Sequence, residues 1–235
     1  MDSVIVLTFS SLKKELKTKA NPGKAKILQR FFKTGKGEYA EGNVFLGIVV
    51  PETRKIVQKY NSLRLEDVAK LLRSKIHEER LAALLIMVNK FQTGKGKEKI
   101  YNLYLKNTKY INNWDLVDLS ADKIVGDYLF NKPKAILRKL AKSKSIWERR
   151  IAIMATFNFI KNNKFEETLK IAKILLNDKH DLIHKAVGWM LREVGKRDLK
   201  TEEKFLKKYY KKMPRTMLRY AIEKFPERKR KQYLA

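Results

Sequence analysis

The run Leu81-Ala82-Ala83-Leu84-Leu85-Ile86-Met87-Val88 is apolar on nearly every face of the helix that it predicts. A helix that is apolar all round has to be enclosed by other elements, so the helix over residues 78–91 is expected to lie at the centre of the fold. Almost every other segment also has apolar residues at helical spacing, and no segment shows convincing strand alternation. The sequence therefore predicts an all-α protein built around a buried helix.

On either side of this run the chain divides into about a dozen helices joined by short turns. Antiparallel helical pairs of about 35–45 residues are typical of HEAT and armadillo repeats, and the poor identity between pairs makes these repeats degenerate. We therefore predict a right-handed superhelical solenoid of HEAT- or armadillo-like helical pairs. It is expected to form a single domain over residues 1–235, with a basic C-terminal tail from Glu227 onward. The longest irregular stretch, Thr34–Asn43, contains three glycines and is expected to be a loop.

The net charge points to the kind of partner. The chain has 54 lysine and arginine residues against 25 aspartate and glutamate residues, which gives a formal charge of +29 and a pI near 10.1. Such an excess indicates an extended polyanion, with nucleic acid as the leading candidate and an anionic membrane as a weaker one. A proteome rich in lysine is the alternative explanation, because it would raise the charge of every surface.

Several classes of site are excluded or disfavoured. The sequence contains no cysteine, which excludes disulfide bonds, cysteine nucleophiles and thiolate zinc sites. His180 and His184 are spaced to share a helix face, but no HExxH pattern or third ligand accompanies them. A capping or surface role is therefore expected for both histidines, and neither a metal nor a small-molecule cofactor is expected.

The sequence also bears on location. No apolar run approaches the roughly 18 residues that a membrane span requires, so no spanning segment is expected, and with nucleic acid as the leading candidate no membrane partner is expected. Met1–Ser11 has an apolar patch at Val4–Leu7, but no basic segment precedes it and no cleavage-site pattern follows it. This segment is not expected to be a signal peptide, and the protein is expected to be a cytoplasmic monomer.

The three tryptophans of the chain each stand near a charge at helical spacing. Trp114 and Asp118 share one helix face after a pair of asparagines, Asn112 and Asn113, that offer an N-cap. Near the start of a helix the macrodipole favours the ionised carboxylate, and an indole ring attracts cations. Trp147 and Trp189 each precede an arginine by three residues. Because the tryptophans lie about one repeat apart, all three are expected to line one concave surface.

Arg150 stands at an unfavourable position in its predicted helix. It lies in an early turn, after the capping-box pattern formed by Ser145 and Glu148, where the helix macrodipole disfavours a cation. A guanidinium at this place requires a local anion, either a protein carboxylate or a phosphate.

The tryptophans and Asp118 also have a plainer explanation. Each tryptophan would be a core residue, and Asp118 would be a solvated residue that compensates the helix dipole.

Several segments resemble the bacterial DNA alkylation repair family, the HEAT-like-repeat alkylpurine DNA glycosylases of AlkD type. They are Asn113–Asp118, Ile146–Ala152, Lys185–Glu193, and the loop Thr34–Asn43 with Val44–Pro51 after it. The resemblance covers roughly residues 10–225. It implies a curved superhelix that holds duplex DNA in a basic cleft. It also implies hydrolysis of the N-glycosidic bond of positively charged alkylated purines such as 3-methyladenine and 7-methylguanine.

The resemblance implies roles for particular residues. Asp118 corresponds to the catalytic carboxylate, and Trp114 and Trp189 correspond to the aromatic residues beside the deoxyribose of the lesion. Basic residues of the same segments and of the glycine-rich loop are expected to contact double-stranded DNA: Arg150, Arg192, Lys185 and Lys36.

The sequence departs from the family at two positions. Phe31 and Val49 stand where some members have a tyrosine and a glutamine, so the polar contacts made there are lost. Two other functions stay open. The chain could be a non-catalytic HEAT-repeat protein that binds damaged or branched DNA, or an armadillo-like scaffold for acidic proteins.

Overall fold

The computed structural model describes residues 7–235, most of which are helical. No β-strand occurs in this range, where only an isolated bridge joins Val44 to Ile76. The all-α prediction is therefore confirmed. No helix in the described range combines the length and apolar character needed to cross a bilayer. The interpretation of the apolar patch at Val4–Leu7 falls mainly on residues 1–6, outside the described residues.

The helices are joined by turns and loops, and the helix predicted over residues 78–91 is present as α5, His77–Gln92. The α-helices are α1 (Phe9–Thr18), α2 (Pro22–Phe31), α3 (Val50–Gln58), α4 (Leu65–Leu72), α5 (His77–Gln92), α6 (Lys97–Lys106), α7 (Trp114–Ala121), α8 (Asp127–Leu129), α9 (Ala135–Ala141), α10 (Ile146–Lys161), α11 (Glu166–Ile174), α12 (Asp181–Gly195), α13 (Leu199–Tyr209), α14 (Arg215–Ala221) and α15 (Glu227–Leu234). Short 3₁₀ turns cover Thr108–Tyr110, Tyr210–Lys212 and Ile222–Lys224.

Several helices begin at a residue whose side chain accepts a hydrogen bond from the first turn, which satisfies an otherwise unpaired amide. These residues are Thr8, Asn21, Ser145, His180 and Asp198. The capping role expected for His180 is therefore confirmed. Its ring nitrogen Nδ1 accepts from the amide of Leu182 at 3.1 Å. Burial lowers the pKa of His180, which favours the neutral ring that such a cap requires.

The chain divides into two compact units, Met1–Ser120 and Ala121–Ala235. The single domain expected over residues 1–235 stays a prediction. In the first unit α5 is the central helix and packs against α1, α3, α4 and α6. Every side chain from Leu81 to Val88 is at most 5% exposed, as the apolar run predicts.

In the second unit α10 has the central place and packs against α9, α11 and α12. Its residues Ile151–Ala155 are buried, and so is Trp147 at 7% exposure. The expectation that Trp147 lines a surface with the other tryptophans is therefore wrong. The ring covers the apolar core of this unit, which is the more usual place for a tryptophan at helical spacing.

A π-helical turn, Asp122–Gly126, follows α7 and packs against α10. A side chain at Gly126 would place a Cβ atom 2.2 Å from the carbonyl oxygen of Ala155, so only glycine permits this approach. Lys161 at the end of α10 reaches back to the buried carboxylate of Asp122, with Nζ and Oδ2 2.7 Å apart. The turn is thus fixed to α10 by close backbone contact and by an ion pair.

Candidate active site

Helix α7 carries the carboxylate and the tryptophan singled out by the sequence. Asn113 precedes the helix. Its carbonyl oxygen accepts from the amide of Val117 at 3.2 Å, and its Oδ1 accepts from the amide of Trp114 at 2.8 Å. Trp114 and Asp118 lie one turn apart and are both half-buried. The sequence thus identified the start of this helix correctly, and the ring and the carboxylate lie on it one turn apart, as predicted.

Helix α7 is anchored to α6 by a buried polar contact. The hydroxyl groups of Tyr104 and Ser120 lie 3.0 Å apart. Ser120 donates in turn to the carbonyl of Leu116 at 2.6 Å. Because Ser120 lies half a turn beyond Asp118, this contact limits rotation of the helix about its axis.

The indole of Trp114 belongs to an aromatic stack of four rings, which we call the Trp114 stack: Trp114, Phe32, Phe45 and His77. Phe32 lies between Trp114 and Phe45, with ring centroids 5.1 Å away on either side and interplanar angles of 29° and 13°. His77 stacks on Phe45 with a centroid distance of 4.3 Å. The indole therefore packs on Phe32, which is itself supported by the rings of Phe45 and His77 from two other segments of the first unit, and this packing fixes the plane of the indole.

The outer edge of the Trp114 stack is exposed and apolar. Phe31 contacts Trp114 edge-to-face at a centroid distance of 6.0 Å and is 59% exposed. Val49 is 45% exposed on the loop that follows Phe45. Phe31 and Val49, for which the resemblance implies a lost polar contact, are thus both exposed, and neither side chain can offer a hydrogen bond.

Beneath the Trp114 stack the first turn of α5 carries charged residues that are almost fully buried. The Nε2 atom of His77 lies 2.8 Å from Oδ2 of Asp115. Arg80 is 3% exposed and donates to the carbonyl of Ser74 at 2.7 Å and to the side chain of Asn43. Burial lowers the pKa of Arg80 to about 10, against the opposing charges of Asp115 and Glu78. Asp115 is thus occupied by His77 and faces a buried cation.

Glu78, in the same turn, fixes the loop that carries Phe45. Its carboxylate is buried and accepts hydrogen bonds from three consecutive amides: Leu46 at 2.9 Å, Gly47 at 2.8 Å and Ile48 at 3.2 Å. Gly47 has φ +86° and packs so closely on α2 that a Cβ atom would lie 2.1 Å from the carbonyl oxygen of Asn21. Sequence reasoning missed Glu78, because a glutamate in a first turn is ordinarily a solvated residue.

The glycine-rich loop binds its own carboxylates. Gly35 donates its amide to Glu38, and Gly37 donates to Glu41, both at 2.8 Å. These amides are therefore occupied in this structure. Lys36 between them is exposed, so a phosphate at this loop would meet the lysine ammonium group. The expected DNA contact of Lys36 stays a prediction.

The second unit contains the other tryptophan of the prediction. Trp189 is half-buried on α12, and its ring centroid lies 6.1 Å from that of Phe157 on α10. Its Nε1–H donates a hydrogen bond to the carboxylate of Glu193 at 3.3 Å. Burial alone would raise the pKa of Glu193, but hydrogen bonds from Lys196, Arg197 and Trp189 hold that pKa below its usual value. The indole therefore binds an ionised carboxylate on its own helix.

Arg150 meets a partner inside the protein. Its side chain is 5% exposed, and Nη1 donates to the carbonyl of Leu182 in the first turn of α12. The carbonyl oxygen of Leu182 therefore supplies at least one of the electronegative partners that a cation in an early helical turn requires. A DNA contact by Arg150 stays a prediction, and it would require this buried side chain to become accessible.

The two remaining basic residues also have carboxylate partners. Arg192 forms an ion pair with Glu223, and its side chain is 17% exposed. The Nζ atom of Lys185 lies 2.6 Å from Oδ2 of Asp181, one turn earlier in the same helix, and 40% of the lysine side chain is exposed. DNA contacts by both residues stay predictions. A phosphate would replace an exposed carboxylate at Lys185 more readily than at Arg192, whose guanidinium is largely covered.

No group of three histidine, aspartate or glutamate side chains within residues 7–235 is arranged to hold a metal ion. The second expected histidine, His184, places Nε2 2.5 Å from the carbonyl oxygen of Asp178. Its ring is therefore engaged by the backbone, in keeping with a structural role.

Comparison with known proteins gives one family match and several structural matches. The family model described as "DNA alkylation repair enzyme" matches residues 12–225. A structure described as a predicted DNA alkylation repair enzyme from Enterococcus faecalis has a TM-score of 0.71 at 17% identity, over 89% of this chain and 98% of that one. The structure of AlkD2 from Streptococcus mutans has a TM-score of 0.58 at 17% identity, over 92% and 99%. No curated protein matches the sequence. The structural similarities confirm the predicted helical-repeat fold class.

Proposed function

This chain belongs to the DNA alkylation repair enzyme family, and from that premise we propose that it is a monofunctional DNA glycosylase. Its proposed substrates are positively charged alkylated purines in double-stranded DNA, of the 3-methyladenine and 7-methylguanine type. The observation that carries the proposal is the pairing on α7: an indole held in a fixed plane by the Trp114 stack, and a half-buried carboxylate one turn further along.

One carboxylate is sufficient for this chemistry. Glycoside hydrolysis usually needs two carboxyl groups, of which one protonates the leaving group. A purine alkylated at N3 or N7 already carries a positive charge, so it leaves as a neutral base when the bond to the sugar breaks. The electron pair of that bond goes to the purine, and the sugar becomes an oxocarbenium-like cation. Water then adds to this cation and releases a proton.

Asp118 is proposed to stabilise the oxocarbenium-like sugar and to position the attacking water. Asp115 is a poor alternative, because His77 occupies its carboxylate and its side chain is only 12% exposed. The face of Trp114 would attract the cationic nucleotide, and Trp189 is proposed to provide a second aromatic contact. Arg150, Arg192, Lys185 and Lys36 are proposed to contact the DNA backbone.

A second candidate function is non-catalytic binding of damaged or branched DNA. The observation that favours it is that Phe31, at the exposed edge of the Trp114 stack, and the exposed Val49 offer no hydrogen bond to a lesion. Such a protein would keep the net charge of +29 and bind DNA without depending on Asp118 for any reaction.

An excision assay distinguishes the two candidate functions. It uses duplex DNA that contains 7-methylguanine under single-turnover conditions. Asp118→Asn preserves shape and removes one negative charge. We expect the excision rate to fall by about 10²–10³-fold, as for loss of other single electrostatic stabilisers, with DNA affinity unchanged or slightly higher. Asp67→Asn is the matched control, because it removes the same charge from a surface ion pair on α4. Equal rates for wild type and Asp118→Asn would remove Asp118 from the mechanism, and DNA binding without excision by the wild type would favour the second function.

A further inference from the structure

Helix α15 lies beyond residue 225, where the match to the family model ends. Its first turns contain four consecutive basic residues, Arg228–Lys231, after one acidic residue, Glu227. The sequence alone indicated a basic tail. In the structure this segment is a helix packed against its own unit, which gives its charges fixed positions.

Three contacts hold α15 in place. The ring of Tyr233 packs edge-on against Tyr210 and Phe225, with centroid distances of 5.3 and 5.9 Å. Lys229 forms an ion pair with Glu203 of α13. These contacts combine apolar burial with a charge pair, so α15 presents its remaining basic side chains as part of a structured surface.

A groove of about 380 Å³ separates α15 from α14 and the 3₁₀ turn after it. It is lined by Arg219, Ile222, Glu223, Glu227, Arg230, Lys231 and Leu234. Both of its carboxylates have cationic partners. Glu223 is paired with Arg192 and Lys224, and Glu227 lies 2.9 Å from Lys231.

The two arginines of the groove, Arg219 and Arg230, differ from its carboxylates, which are ion-paired. Within residues 7–235 neither Arg219 nor Arg230 forms an ion pair, and the buried Nε of Arg230 has no hydrogen-bond partner. A buried N–H without a partner costs free energy, so its presence indicates a missing acceptor. Arg219 and Arg230 both line this groove, and the planar fork of an arginine donates paired hydrogen bonds to a phosphate.

The groove also borders a helix with expected DNA contacts. Glu223 in its wall bonds to Arg192 of α12, the helix that carries Trp189. Residue Gly188 of α12 packs against the backbone of α14 so closely that a Cβ atom would lie 2.4 Å from the carbonyl oxygen of Met217. The groove, α14 and α12 therefore belong to one packed part of the second unit.

We propose that Arg219 and Arg230 bind a backbone phosphate of duplex DNA in the groove between α14 and α15. The inference rests on the proposed function, because it takes DNA as the partner. It extends the DNA-binding surface to a helix outside the matched family region. Such a contact carries no sequence or lesion information, so it strengthens binding to damaged and undamaged duplexes equally.

The test is the salt dependence of binding to a short undamaged duplex, measured by fluorescence anisotropy. Loss of one phosphate contact makes the negative slope of log affinity against log salt shallower by about 0.9. Because both arginines bind the same phosphate, we expect the full change for the double variant Arg219→Ala/Arg230→Ala and a smaller change for either single variant, with the same loss of affinity for undamaged and lesion-bearing DNA. Arg228→Ala is the matched control, since it removes the same charge from an exposed position of α15 outside the groove lining.

Arg230 is half-buried, so its alanine variant needs a check of folding. Arg230→Lys retains the charge and loses the fork, and we expect it to weaken binding while the melting temperature stays near that of the wild type. Equal slopes for all variants and the wild type would overturn the proposal. So would an equal decrease for Arg219→Ala and Arg228→Ala, because the charge would then act diffusely. A wild type that binds no duplex would instead refute the proposed function.

Discussion

Replacement of Glu78 by glutamine tests whether a single buried carboxylate fixes the loop that carries Phe45. In the wild type three amides donate to this carboxylate, over distances of 2.8–3.2 Å. Glutamine retains one acceptor oxygen for the amides of Gly47 and Ile48. Its amino group faces the N–H of Leu46, and two donors cannot pair with each other.

The expected loss follows from these contacts. The hydrogen bond from the Leu46 amide to a charged group is lost, and this buried amide is left unpaired. The hydrogen bonds from Gly47 and Ile48 become weaker because their acceptor is now neutral. Together these changes cost about 2–4 kcal/mol. The free energy of unfolding should fall by that amount. For a chain of this size the melting temperature should fall by roughly 4–16 °C.

The assay is thermal unfolding followed by circular dichroism, together with amide hydrogen exchange. Exchange of the Leu46, Gly47 and Ile48 amides should accelerate selectively in Glu78→Gln, because these amides lose their acceptor. Glu66→Gln is the control, since that side chain is 67% exposed and its loss should change stability by less than about 0.5 kcal/mol. A Glu78→Gln variant that melts with the wild type, with unchanged exchange at these amides, would refute the reasoning.

Three further predictions concern the second unit. Arg150→Ala should lower stability by about 1–3 kcal/mol through a lost buried hydrogen bond; DNA affinity and single-turnover excision at saturating enzyme then check for a DNA role, which wild-type values of both would exclude. Burial raises the pKa of Glu202 from 4.5 to about 8, so its stabilising contribution is present at low pH and is lost as the pH rises towards and through 8. The melting temperature of Glu202→Gln relative to wild type should therefore increase between pH 5 and pH 9, and a constant difference would contradict this. Gly126→Ala should cost about 1–3 kcal/mol in denaturant unfolding because its Cβ would overlap Ala155, whereas Gly23→Ala, with no contact under 3.4 Å, should be nearly neutral.

The helices could be predicted from the sequence because their signals are local. The apolar run Leu81–Val88 identified the central helix of the first unit, and Ser145 marked the start of α10. Such signals depend on residues within a few turns of one another, so they survive whatever packs around them. The same reasoning placed Trp114 and Asp118 on one face of α7, where the structure has them.

The surroundings of these residues could not be predicted in the same way. The Trp114 stack joins Phe32, Phe45 and His77, which are far apart in sequence and carry no common pattern. Arg150 was expected to need a nearby anion, and its position gave no means to distinguish a phosphate from the carbonyl of Leu182. Pairings of this kind are decided by tertiary packing, which a single sequence does not encode in its periodicity.

The distribution of tryptophans gives the molecule a set of intrinsic optical probes. Trp114 is the only indole in residues 1–120, whereas Trp147 and Trp189 both belong to the second unit. A variant with phenylalanine at positions 147 and 189 would report on the first unit through one fluorophore whose quantum yield depends on the stack around it. The absence of cysteine further allows a single introduced thiol to be labelled without background. Fluorescence can thus follow the melting of the first unit and test the proposed binding of DNA at α7 in the same sample.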